Sequence, residues 1–159
     1  MAACPRHPRF NIVPGVYYRC ADPDAATDWV PRNARVQAAY YRICEGGDFE
    51  RMAGLMGEAL MVHSNETSAV SPYVSVASCP ACLAASPDPT VMAILQRRRY
   101  LCRLAIDPRN QRGAPFIFEM GGPTVGAAET EALVLLPPGQ SLSQYFDNGY
   151  VTLGYIQSL

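Results

Sequence analysis

The chain has 159 residues, a formal net charge of -1, and 49% hydrophobic against 17% charged residues. That balance excludes a disordered chain and argues against a general nucleic-acid binder, which would show a basic surplus. No stretch approaches the roughly 20 apolar residues that cross a bilayer, and the opening run from Met1 to Phe10 lacks the apolar core of a secretory signal. The expectation is a soluble monomer without a membrane partner, with residues 1–13 as an N-terminal tail and 14–159 as one domain.

The first predicted strand is Val16-Tyr17-Tyr18-Arg19-Cys20, rich in β-branched and aromatic residues and begun after Pro14-Gly15. Its period of two places Tyr17 and Arg19 on one face. Residues 35–44 and 48–63 read as helices, the second with Asp48 as cap and an apolar stripe of Phe49, Met52, Ala53, Met56, Ala59 and Leu60. A stripe of that kind packs a core. Residues 72–77 suit a short strand, and Asp88-Pro89 opens a helix with a capping side chain and a proline in its first turn.

Tyr100 to Ile106 reads as the next strand, stopped at Asp107-Pro108 because proline cannot donate to a ladder. Residues 109–130 form a long connection holding a strand at Phe116-Ile117-Phe118, and connections of that length usually carry function. Glu131 to Leu136 is a strand closed by Pro137-Pro138-Gly139, and residues 150–156 supply one more. Helices and strands follow in irregular order, which favours α+β over a doubly wound sheet.

All thirteen basic residues are arginine, which a GC-rich coding sequence explains and which also spares the chain lysine-linked ubiquitin. Arg97-Arg98-Arg99, with Arg103, Arg109 and Arg112, makes the one basic cluster and reads as a solvated face. The six cysteines read as buried thiols. Cys79-Pro80-Ala81-Cys82 has the spacing of a zinc half-site or a thioredoxin-like motif, but no second ligand pair is read at matching spacing, so neither a metal nor a redox role is expected. His63 reads as structural.

Three polar positions stand against otherwise apolar strands: Arg19, Ser75, and the pair Glu129 and Glu131. Such local misfit points to function. The segments Tyr18-Arg19, Ser71-Pro72-Tyr73-Val74-Ser75 and Glu129-Thr130-Glu131 follow in that order. This series resembles the mono-ADP-ribosyltransferases of the cholera-toxin and pierisin type. Their pattern is an aromatic-Arg on the first strand, Ser-Thr-Ser on a later strand, and Glu-x-Glu or Gln-x-Glu near the C-terminus. His63 and the strand Tyr100 to Asp107 add to a likeness spanning residues 16–138, while Val76 and Ala77 stand where the family has Thr and Ser.

The resemblance implies an ADP-ribosyltransferase fold of two small antiparallel or mixed sheets with flanking helices, holding NAD⁺ in the cleft between them. It implies that Arg19 anchors the diphosphate, since a planar fork of donors matches phosphate oxygens. Glu131 would hold the ribose 2′-hydroxyl and favour the oxocarbenium-like transition state. Ser75 would fix the Glu131 rotamer, Glu129 would orient or deprotonate the acceptor, and Tyr73 and Cys20 would contact NAD⁺ beside them. The implied reaction moves ADP-ribose from NAD⁺ to a protein, such as a host signalling protein or ubiquitin, by a secreted effector or toxin acting in the target-cell cytosol. A nucleic-acid base as acceptor, NAD⁺ hydrolysis, and a catalytically silent binding module are the alternatives.

Overall fold

Val16–Arg19 (β3) is hydrogen-bonded along both edges, and that single strand decides the architecture. The computed structural model describes residues 2–4, 7–48, 50–54, 57, 71–107, 113–119 and 130–159. In chain order these include a ribbon of Ala2–Ala3 (β1) and Asn11–Ile12 (β2), then β3, Ala34–Glu45 (α1), Val74–Ala77 (β4), Pro80–Ala84 (α2) and Pro89–Arg98 (α3). Tyr100–Ala105 (β5), Phe116–Glu119 (β6), Glu131–Leu135 (β7), Phe146–Thr152 (β8) and Leu153–Gln157 (α4) complete the series.

The six longer strands form one sheet in the order β6-β7-β4-β3-β5-β8, and every neighbouring pair is antiparallel. The α+β class holds. The expected pair of small sheets does not, because β3 bonds to β4 on one side and β5 on the other and so fuses the strands into one layer. The only other sheet among the described residues is the β1-β2 ribbon.

Both faces of the sheet are covered. One carries Tyr17, Val74, Val76, Leu104, Ala132 and Val134, closed over by Trp29 and Leu142 from the short 3-10 helices Ala26–Trp29 and Leu142–Tyr145, with Trp29 stacked on Phe146. On the opposite face two groups of helices divide the surface. Tyr41 and Cys44 of α1 pack on Leu133, Leu135 and Phe116, while α2, α3 and α4 bring Leu83, Leu95 and Ile156 onto Tyr18, Ala77 and Leu101.

Local chemistry explains most boundaries. Asp88 accepts a hydrogen bond from Thr90 N–H and Pro89 stands at the first turn, so α3 begins where its cap and proline place it. Asn33 caps α1 in the same way, through Val36 N–H. Of the predicted helix over 48–63, residues 50–54 are helical; Phe49, Met56, Ala59, Leu60 and His63 lie outside the described residues. The last strand starts earlier than read, at Phe146, and the chain turns helical at Leu153, where Thr152 caps α4 by accepting from Tyr155 N–H. Within the stretch read as a tail, Ala2–Ala3 and Asn11–Ile12 pair as the ribbon; Phe10 enters the core against Tyr18, and Cys4 is disulfide-bonded to Cys79. No helix among the described residues is long and apolar enough to cross a membrane.

Candidate functional site

Between the two helical groups no described residue covers the sheet, and the polar side chains of β4 and β7 stand in that gap. In β4, Val74 and Val76 are buried on the Trp29 side, which leaves Ser75 pointing to the other face. The β4-β7 register sets Ser75 opposite Leu133 and Ala77 opposite Glu131, so Ser75 and Glu131 are diagonal neighbours on one face. Ser75 Oγ donates a hydrogen bond to Glu131 Oε2. Both side chains are half-buried, walled by apolar neighbours and open to the gap.

Arg19 reaches the same place by a different route. Strand alternation would put it beside Tyr17 on the Trp29 face. However, β3 and β4 share a single paired position, Tyr18 with Ala77, and diverge beyond it. The Arg19 guanidinium fills the divergence: Nη1 donates to the Ser75 carbonyl and Nε donates to the Asp28 carbonyl at 2.8 Å. It thus replaces a missing rung of the ladder and keeps donors in hand, since among the described residues only these two acceptors take its N–H groups. Burial pushes its pKa down, the Asp28 charge opposes that drop, and the Arg32 charge adds to it. Arg19 nevertheless stays charged, as guanidinium does in proteins.

The loop supplying Asp28 is fastened at both ends. Asp22 N–H donates to Asp28 Oδ2 at 2.9 Å, and the Trp29 indole N–H donates to the Asp22 carbonyl at 3.0 Å. Arg98 pairs with Asp22, and this hydrogen bond holds the Asp22 carboxyl below the usual carboxylate range. Arg103 pairs with Asp147 at 2.7 Å. Part of the arginine cluster is therefore matched to carboxylates; Arg109 and Arg112 lie outside the described residues.

Glu131 is held from behind by a backbone feature. Thr130 has φ 54°, in the left-handed region that a β-branched residue rarely enters. Bonds from the facing loop hold it there: Ser78 N–H and Ser78 Oγ both donate to the Thr130 carbonyl, at 3.1 and 3.5 Å, and Cys79 N–H donates to Thr130 Oγ1 at 2.9 Å. Unusual backbone of this kind persists where its surroundings over-determine it, and it gathers at functional sites.

Arg19, Cys20, Tyr73, Ser75 and Glu131 all line one cleft of about 220 Å³. Their contributions differ. Tyr73 is buried and packs edge-on against Phe118, and burial raises its phenol well above the ordinary range, so it is chiefly a wall. Cys20 is buried too, its thiol donates to the Val91 carbonyl at 3.5 Å, and burial pushes its pKa up to about 12. A thiol in that state is no nucleophile near neutrality. Glu129 lies outside the described residues.

No protein-family model, no curated protein and no solved structure matches the chain. What points to chemistry is the cleft itself. It also contains a residue that the strand-by-strand reading missed: exposed Arg32 lines it together with Arg19. Two guanidinium groups on one cleft suit an anion with two negative charges. No periodicity could have marked Arg32, which sits in the irregular Pro31-Arg32-Asn33 just ahead of α1; only its place one residue before the Asn33 cap hints at a fixed position.

Proposed function

We propose that the chain is a mono-ADP-ribosyltransferase that binds NAD⁺ in this cleft, cleaves the nicotinamide-ribose bond at Glu131 and passes ADP-ribose to a protein acceptor. The observation that carries this reading is the hydrogen bond from Ser75 to Glu131 on adjacent strands, with the Arg19 guanidinium on the carbonyl of that same serine. A hydroxyl that immobilises a carboxylate is costly to order unless the orientation is used.

In the proposed reaction Arg19 and Arg32 take the diphosphate of NAD⁺, with Arg19 already oriented by its two carbonyl bonds. The cleft is smaller than the roughly 300–1,000 Å³ that encloses a drug-sized ligand, so a dinucleotide extends beyond it. As the glycosidic bond breaks, positive charge builds on the ribose ring. The Glu131 carboxylate stabilises that charge and holds the 2′-hydroxyl, an interaction stronger in the transition state than in bound NAD⁺. Nicotinamide leaves with the bonding electrons, and the acceptor attacks from the opposite side. Glu129 is the proposed base or orienting group for the acceptor.

The test is incubation with labelled NAD⁺ and cell lysate, beside the Glu131→Gln variant. The expected result is a labelled protein band or nicotinamide release with wild type, reduced about 10²–10³-fold in the variant, the usual cost of removing one transition-state electrostatic partner. Equal turnover by both proteins refutes the site. Nicotinamide release without labelled protein makes the chain an NAD⁺ glycohydrolase, and label confined to nucleic acid moves the acceptor to a base.

A further inference from the structure

Away from the cleft, three sulfurs meet. Cys4, Cys79 and Cys82 are each at most 1% exposed, and their Sγ atoms all lie within 4.8 Å of one another. Cys4 and Cys79 are joined as a disulfide across 75 residues of sequence, and Cys82 Sγ lies 3.3 Å from Cys4 Sγ. A crosslink accounts for two of these atoms. The third lies in contact with the bridge.

A metal ion accounts for all three, and the sequence around Cys4 supplies the ligand that completes its shell. Cys4-Pro5-Arg6-His7 repeats the pattern of Cys79-Pro80-Ala81-Cys82: a cysteine, a proline, one residue, then a second metal-ligating side chain. A second ligand pair at matching spacing is therefore present, with histidine as its second member. His7 N–H donates to the Cys4 carbonyl at 3.3 Å, and the first turn of α2 carries Cys82, with Leu83 N–H donating to the Cys79 carbonyl at 3.2 Å. The His7 ring is not among the groups within 4.8 Å of the sulfurs. It is half-buried and three residues along from Cys4, and binding requires its side chain to move onto the sulfurs.

We propose that the reduced protein holds one structural zinc ion at Cys4, His7, Cys79 and Cys82. Three thiolates and one imidazole are a regular closed set for zinc, and two pairs of x₂ spacing are a common way to present it. A dithiol reductant opens the Cys4–Cys79 bond: two electrons and two protons pass to the protein, and the reductant becomes a disulfide. Zinc then displaces the three thiol protons to solvent as the tetrahedral shell closes. The ion ties the β1-β2 ribbon to α2. Through Cys79 N–H and Thr130 Oγ1 it also braces the residue that precedes Glu131. Zinc binding does not depend on the reaction proposed for the cleft.

The full chain, purified under reducing conditions with zinc and then freed of unbound metal by gel filtration, should carry one zinc per chain by elemental analysis. All six cysteines should be alkylated once the protein is denatured in chelator. Cobalt(II) added to the reduced metal-free protein should give thiolate-to-cobalt charge-transfer absorption and the visible bands of tetrahedral cobalt, a readout that needs no variant. Cys82→Ser and His7→Ala should each weaken zinc binding by more than the roughly 10–100-fold that loss of an outer-shell partner costs, whereas Cys44→Ser should not change it. The proposal is overturned if the reduced protein retains no zinc and gives no cobalt spectrum. It is equally overturned if peptide mapping finds the Cys4–Cys79 crosslink intact in reductant and zinc, and unchanged affinity in His7→Ala overturns the ligand set.

Discussion

Ser75→Ala deletes one hydroxyl, the one that donates to Glu131 Oε2. A hydrogen bond to a charged group contributes about 1.5–3 kcal/mol where it is well shielded. Ser75 and Glu131 are only half-buried, so water replaces part of the bond and about 1 kcal/mol is the reasonable loss of stability. Urea unfolding should show a lower midpoint with an unchanged slope. If Ser75 acts by holding the carboxylate in place, a freed Glu131 costs the reaction a similar 1–2 kcal/mol. That is roughly a 5- to 30-fold fall in kcat/KM for nicotinamide release. Glu131→Ala should cost about 10²–10³-fold, and the double variant should be no worse than Glu131→Ala alone, since Ser75 then has nothing left to position. A double variant whose loss is the product of the two single losses refutes the positioning role, because independent sites add in free energy.

Arg19→Lys keeps the charge and loses the fork. The expected outcome is a rise of about tenfold or more in the Kd for NAD⁺, measured by calorimetry, together with lower thermal stability, because one ammonium nitrogen replaces the planar fork whose Nε and Nη1 are separately directed at the carbonyls of Asp28 and Ser75. Thr130→Val removes the oxygen that accepts from Cys79 N–H, so chemical denaturation should show a loss of about 1–3 kcal/mol. The buried thiols give a pH signature with a definite sign. Burial raises Cys20 to about 12 and Cys102 to about 11. A thiol whose folded pKa lies above its unfolded value stabilises the fold fully below about pH 8.5, and that contribution is lost as pH rises through the folded value. Melting temperature should therefore fall from about pH 8.5 towards 12, with a shallower fall in Cys20→Ala. Native protein at pH 8 should leave Cys20 unlabelled by iodoacetamide, and prompt labelling there contradicts its burial.

Elements whose ends are set by nearby residues were legible in the chain alone. The strand at Val16, the helix capped by Asp88 and Pro89, and the strand stopped by Pro137 all depend on contacts within a few residues. Neighbouring strands overruled local signals elsewhere. The last strand, read over 150–156, runs instead from Phe146 to Thr152; Asn148 takes φ 63°, and the register with β5 shifts near that point as a bulge. The five-residue α2 has no periodicity to reveal it, and its Cys-Pro-Ala-Cys stretch was legible only as ligand chemistry.

By itself the sequence determined which residues are out of keeping with packing, namely Arg19, Ser75 and Glu131, since a polar group among apolar strand neighbours is a statement about composition and period. Only the tertiary structure decided that they share one cleft, that Arg32 joins them, and that Cys4 meets Cys79 and Cys82. Those meetings depend on which strands pair and in what register. Pairing is fixed by burial summed over the whole sheet, which no short stretch of chain encodes.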